Sequence, residues 1–168
     1  ISKGLQQITL SGKSAVILRT SGKFSEWPLK FSGSAEVIGA EAKIHALANP
    51  IKAINGDVTF DENSLSISKV EAQYNDLSYT LKANITNFSS PKVYSVLSSQ
   101  DLLLEVQLRT QDDYTRFDAI EGIWFNSSLN LAGDIQNYQN PQLKLSGDAN
   151  INLEDIQKIL ARLAGQNE

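Results

Sequence analysis

The sequence predicts a mostly β protein: a long, curved antiparallel sheet, either an open groove or a partly closed barrel, followed by one C-terminal α-helix. Three observations predict it. Apolar and polar residues alternate from end to end, the period of a strand with one dry and one wet face. Clusters of Gly, Pro, Asn and Ser punctuate that alternation at short intervals, as turns of a meander do. Helical spacing of apolar residues is almost absent until the C-terminus, which argues against strand–helix–strand units and a parallel sheet.

Taken in order, "LKFSGSAEV" sets Leu29, Phe31, Gly33, Ala35 and Val37 on one side. The phase then slips by one residue, so that Ile38, Ala40, Ala42, Ile44 and Ala46 continue it. Gly39 beside the slip predicts a bulge or bend there. "GDVTFDENSLSISKV" (56–70) reads as a hairpin, Val58 and Phe60 facing Leu65 and Ile67 across a polar turn that holds Asp61 and Glu62. The phase change between Ile67 and Val70 predicts a second bulge near Ser68. Leu77, Tyr79, Leu81, Ala83 and Ile85 make the next dry face, and "PKVYSVLSS" (91–99) reads as helical or irregular. Leu102, Leu104, Val106 and Leu108, then Leu143, Leu145, Gly147, Ala149 and Ile151, complete the series. Breakers separate these runs at 22–28, 49–50, 89–91 and 138–141, giving about ten strands of roughly 7 to 12 residues. The helix is predicted over about 153–164, with Asn152 as its N-cap, Asp155 in the first turn, an apolar stripe of Ile156, Ile159, Leu160 and Leu163, and Gly165 as its stop. Nothing divides the 168 residues into separate domains, so 1–168 is expected to be a single segment.

Composition excludes several function classes. Fifteen Lys and Arg against 19 Asp and Glu give a net charge of −4, and the charges are scattered. A nucleic-acid partner would need a basic stripe, and an anionic membrane surface a polybasic patch. Without cysteine there is no disulfide framework, thiolate metal site or cysteine nucleophile. A chain that starts at Ile1 and holds no methionine is expected to be a segment of a longer protein. The single histidine, His45, lacks the partners that a triad or a metal site requires, and an exposed strand position is the simpler reading. "RTQDDYTRFD" (109–118) clusters Asp112, Asp113 and Asp118 with Arg109 and Arg116, but lacks the glycine turn and closing glutamate of a calcium loop, and reads as a solvated loop. Glycosylation-type triplets begin at Asn84, Asn87 and Asn126, a pattern short enough to arise by chance. No catalytic residue, metal site or cofactor is therefore expected.

From 54 to 108 the order of features becomes more specific. "GDVTF" is followed by a turn and "SLSISKVEAQY", then "DLSYTLKANITNF", Pro91 and "LSSQDLLLEV". "FSGSAEV" before it and "PQLKLSGDANINLEDIQKIL" after it look like flanking units. This arrangement resembles the C-terminal repeat region of bacterial AsmA-like proteins, of the AsmA/TamB superfamily. The resemblance implies a periplasmic segment of a parent anchored in the inner membrane, and a non-catalytic β-groove that carries phospholipid between the inner and outer membranes or supports outer-membrane biogenesis. It implies phospholipid or another acyl lipid as the partner, with the membrane reached through other parts of the parent and further envelope proteins as partners.

Physical reasoning runs the same way, because an acyl chain leaving water for a dry surface gains ~0.8 kcal/mol per methylene. The candidate lining is Val58, Phe60, Leu65, Ile67, Tyr79, Leu81, Ile85, Leu104, Val106, Leu143 and Leu145. The competing reading makes the same residues the core of a structural or adhesin-like β-sandwich module that binds protein partners. An open apolar trough separates the first from the second.

Overall fold

The computed structural model describes residues 8–21, 30–45 and 47–163. Ten strands follow one another along the chain: β1 (Ile8–Ser21), β2 (Lys30–Ile44), β3 (Ile51–Asp61), β4 (Ser64–Tyr74), β5 (Leu77–Thr86), β6 (Lys92–Ser98), β7 (Leu102–Gln111), β8 (Tyr114–Trp124), β9 (Ser127–Gln136) and β10 (Gln142–Asn150). Each pairs antiparallel with its sequence neighbours, and the spatial order is β1 to β10 without a crossover. β1 and β10 are the two edges, so the sheet is an open meander and not a barrel. A single helix, α1 (Leu153–Leu163), closes the described chain.

The structure corrects the sequence reading in several places. β1 and β2, at 14 and 15 residues, are longer than the 7 to 12 expected. The 91–99 stretch, expected to be helical or irregular, contains β6, fully paired with β5 and β7. Its dry face carries Val93 and Leu97, but Tyr94 and Val96 stand on the other face, so apolar residues occur at both parities and the alternation blurs. The 109–118 stretch is likewise a hairpin and not a loop, with Asp112 and Asp113 in the turn between β7 and β8. Arg109 and Arg116 both reach Asp118, at 2.9 and 3.4 Å.

Bulges keep the apolar residues on one side despite the slips of phase. Val58 faces Ile67 while Asp57 faces Lys69, which leaves Ser68 as the extra residue on β4. Asp118 plays the same part on β8, since Leu108 faces Phe117 and Gln107 faces Ala119. On β2 the irregularity centres on Gly39, at φ 58°, whose N–H donates to Asn55 Oδ1 at 2.8 Å. Each bulge bends its strand and adds right-handed twist, which curves the whole sheet. Between β4 and β5, Asn75 and Asp76 both take positive φ, the two-residue turn whose twist matches a hairpin.

The structure also contains an internal repeat of 50 residues. β4 and β8, then β5 and β9, begin and end at that offset, and β3 and β6 correspond to β7 and β10. Ser68 and Asp118, the bulge residues, share it. So do Asn87 and Asn137, both in the left-handed region, each accepting a backbone bond from the residue three ahead (Ser90 and Asn140). Pro91 and Pro141 follow at the same spacing.

Asp61 anchors the first hairpin of this series. Its carboxylate accepts from the Asn63 and Ser64 N–H groups at 2.8 and 2.6 Å and from the Ser64 hydroxyl at 2.8 Å. The Asn63 N–H first, and the Ser64 hydroxyl next, hold the Asp61 carboxyl below its ordinary range. A carboxyl depressed on folding stabilises the fold above its unfolded-state pKa, and that contribution disappears as acid titrates the folded form. The melting-temperature difference between the wild type and Asp61→Asn is therefore expected to shrink below about pH 4, measured by thermal melts on an acid series. A difference that stays constant through that range would remove the carboxylate from the turn's stability.

Candidate functional site

Cross-strand partners share a face, so register alone shows what the dry side contains. One row crosses all ten strands as Leu18, Gly33, Phe60, Leu65, Ile85, Val93, Leu108, Phe117, Gly133 and Leu145. The next row runs Val16, Ala35, Val58, Ile67, Ala83, Ser95, Val106, Ile120, Leu131 and Gly147. A third runs from Ser14 and Val37 through Gly56, Val70, Leu81, Leu97, Leu104, Gly122 and Leu129 to Ala149. The rows lie perpendicular to the strands. With strands ~4.8 Å apart they extend roughly 43 Å, and with two residues between rows they form a band at least about 14 Å wide.

All eleven sequence-predicted lining residues stand on this face. Nine of them fall in the three rows, Tyr79 flanks one margin opposite Ala72, and Leu143 flanks the other opposite Ile135. Val58, Phe60, Leu65, Ile67, Tyr79, Leu81, Ile85, Leu104 and Val106 are half-buried, while Leu143 and Leu145 on the edge strand are exposed. Among the described residues only Ala42 and Tyr74 are buried apolar side chains. A sandwich core would bury the rows between two sheets, and the described residues form only one. The face is an open trough.

Glycine shapes its floor at one point that matters. A side chain at Gly33 would run into the Phe60 ring, which occupies that space, so the bulky row lies flat across β2. On the outer face Tyr94 has its phenol pushed up, by loss of solvent contact first and then by the charge and hydrogen bond of Glu105.

The trough deepens under α1. A cavity of about 520 Å³ is lined by Leu47, Ile51, Ile54, Val70, Ala72, Tyr74, Tyr79, Leu81, Leu97, Asp101, Leu102, Trp124 and Phe125, with Ile159 of α1 joining the wall. Residues from β3 to β8 thus share one space, which the curvature of the sheet permits. The Trp124 indole N–H and the Ser99 hydroxyl are buried and have no hydrogen-bond partner among the described residues.

The helix is fastened by a set of polar contacts to the turn between β8 and β9. Asp155 is 0 % exposed, and its Oδ2 accepts from the Asn126 N–H at 2.9 Å and the Ser127 hydroxyl at 2.7 Å. The Ser127 hydroxyl accepts in turn from the Asn152 N–H at 2.9 Å. Asn152 caps the helix as expected, its side-chain oxygen accepting from the Glu154 N–H at 3.0 Å. The Lys158 ammonium lies 5.0 Å from the centre of the Phe125 ring, within cation–π range. Residues 152, 155, 158 and 159 therefore share the docked face, and the expected apolar stripe is only partly used. Ile159 enters the cavity wall, whereas Ile156 and Leu160 are 36 % and 60 % exposed because the Asp155 anchor rotates them outward. The Leu163 side chain and Gly165 lie outside what the structure describes.

Compared with known proteins, the chain matches no family model, no curated protein and no solved structure. The trough and its covered end therefore carry the functional reading on their own chemistry. His45 is exposed just beyond β2. Among the described residues no group of His, Asp and Glu is assembled to hold a metal ion, and no helix is long and apolar enough to cross a membrane.

Sequence reasoning missed several lining residues. Val93 and Leu97 were hidden by the blurred pattern of β6, and Phe117 and Ile120 by the slip of phase at Asp118. The 50-residue offset supplies the missing signal, since it carries Val70 onto Ile120 and Leu81 onto Leu131.

Proposed function

We propose that the protein binds the acyl chains of phospholipid, without catalysis, and serves as a lipid-conducting segment of an AsmA-like envelope protein in the periplasm. One observation carries the reading: an apolar band, interrupted only by Ser14 and Ser95, crosses ten strands, and among the described residues no second sheet covers it. Apolar rows of this extent need an occupant, and an acyl chain gains ~0.8 kcal/mol per methylene on leaving water for them. The ~43 Å length exceeds the ~30 Å hydrocarbon thickness of a whole bilayer, so the trough accommodates extended acyl chains in file. Head groups remain wet along the open side, and no charged contact is needed to hold them. The envelope setting and the inner-membrane parent follow from the sequence resemblance.

The test is native mass spectrometry of the purified chain, with organic extraction of the same sample. Bound phospholipid, or uptake of it from vesicles of phosphatidylethanolamine and phosphatidylglycerol, is the expected result. A chain that purifies lipid-free and takes up none from those vesicles would return the apolar face to the protein-binding module.

A further inference from the structure

We propose that the free edge of β10 pairs with the same edge of a second copy of this chain, antiparallel about a two-fold axis at Ser146. This inference does not depend on what the trough carries. β10 is hydrogen-bonded to β9 along one side only, and every one of its residues is exposed. An uncovered edge of nine residues presents a row of backbone donors and acceptors that another strand can complete. The chain does not supply that strand from α1, because Asp155 fastens the helix back onto the turn between β8 and β9.

Register identifies the partner. A two-fold axis along the sheet normal keeps the trough face of both copies on the same side, and even-numbered β10 residues then meet even-numbered ones. Centred on Ser146, this places Lys144 of each copy opposite Asp148 of the other, two opposite-charge pairs on the outer face. Centring on Leu145 or Gly147 sets Lys144 against Ser146 or Asn150 and loses both. Among the described residues neither Lys144 nor Asp148 makes an ion pair.

The trough face fits the same register independently. Leu145 would lie opposite Gly147 of the second copy, and Leu143 opposite Ala149, large against small. That is the matching already used between β9 and β10, where Leu145 faces Gly133 and Gly147 faces Leu131. The exposed side chains of Leu143 and Leu145, at 58 % and 43 %, would be covered, and the apolar rows would run on through twenty strands.

Sedimentation velocity on the whole chain, from low micromolar to about 0.5 mM, tests the association. A concentration-dependent dimer is expected. Lys144→Glu or Asp148→Lys alone should weaken it by about 10-fold or more, and the two together should restore it. Both residues are exposed, and unchanged circular dichroism serves to confirm folding. Because the chain has no cysteine, Ser146→Cys supplies its only thiol, and mild oxidation should link the two copies at the axis. A wild type that stays monomeric throughout, single reversals that leave the dimer unchanged, or a double reversal no better than either single one would each overturn the proposal.

Discussion

The Leu81→Asp/Val106→Asp double variant is expected to stay folded while losing phospholipid. Both side chains are half-buried on the trough face, Leu81 between Val70 and Leu97 and Val106 between Ser95 and Ile120. Because that face is open, an aspartate there can turn toward water, and the cost to the fold is expected to be about 1–3 kcal/mol and not the outright collapse that a closed core would suffer. For a bound acyl chain the loss is larger in proportion. Displacing about three methylenes from dry contact removes ~2.4 kcal/mol, or about 50-fold in affinity. Vesicle uptake followed by native mass spectrometry, beside circular dichroism and a urea melt, separates the two effects. An unfolded variant would mean that the apolar rows are a covered core in solution. A folded variant with undiminished lipid would place the lipid elsewhere.

Asp155→Ala is expected to release α1 and leave the sheet intact. The substitution removes two short bonds to a carboxylate and strands the Asn126 N–H and the Ser127 hydroxyl. Hydrogen bonds to a charged group contribute about 1.5–3 kcal/mol each, and removal of the buried, unpartnered Asp155 Oδ1 offsets part of their loss, so docking is expected to weaken by about 3 kcal/mol. An 11-residue helix is marginal in water on its own, and once undocked it should fray. Amide exchange across 153–163 should accelerate by about 100-fold, with protection in β3 to β9 unchanged. Lys158→Ala, which removes only the contact with the Phe125 ring, should produce a much smaller change. Unaltered protection of α1 in Asp155→Ala would show that the apolar contact of Ile159 holds the helix.

Much of this architecture was legible because a sheet with one dry face writes its period directly into the chain. Val58, Phe60, Leu65 and Ile67 could be placed on one side from parity alone, and the slips beside Gly39 and before Val70 marked real bulges. Parity failed at β6, where Tyr94 and Val96 made the outer face as apolar as the inner one. The rotation of α1 was hidden for a different reason. Its apolar stripe pointed one way, but Asp155, a residue that sequence reasoning merely placed in the first helical turn, is the anchor that sets the orientation. The cavity under the helix draws on residues from Leu47 to Ile159, and no local pattern announces a space built from such distant parts.

The neighbour-only order of the strands has a consequence for how the molecule comes into being. Each strand finds its partners in the adjoining hairpin, so only the docking of α1 waits for distant parts of the chain to meet, and the sheet itself forms without the entropy of closing long loops. Ordering can begin at any well-formed turn and spread outward like a zip fastener, with stability accumulating as a sum of adjacent-strand terms. Such a chain is expected to lose order from its two edges inward, and its length is a free variable. Inserting or deleting one 50-residue unit would change the reach of the trough by four strand spacings, roughly 19 Å, and leave its cross-section as it was.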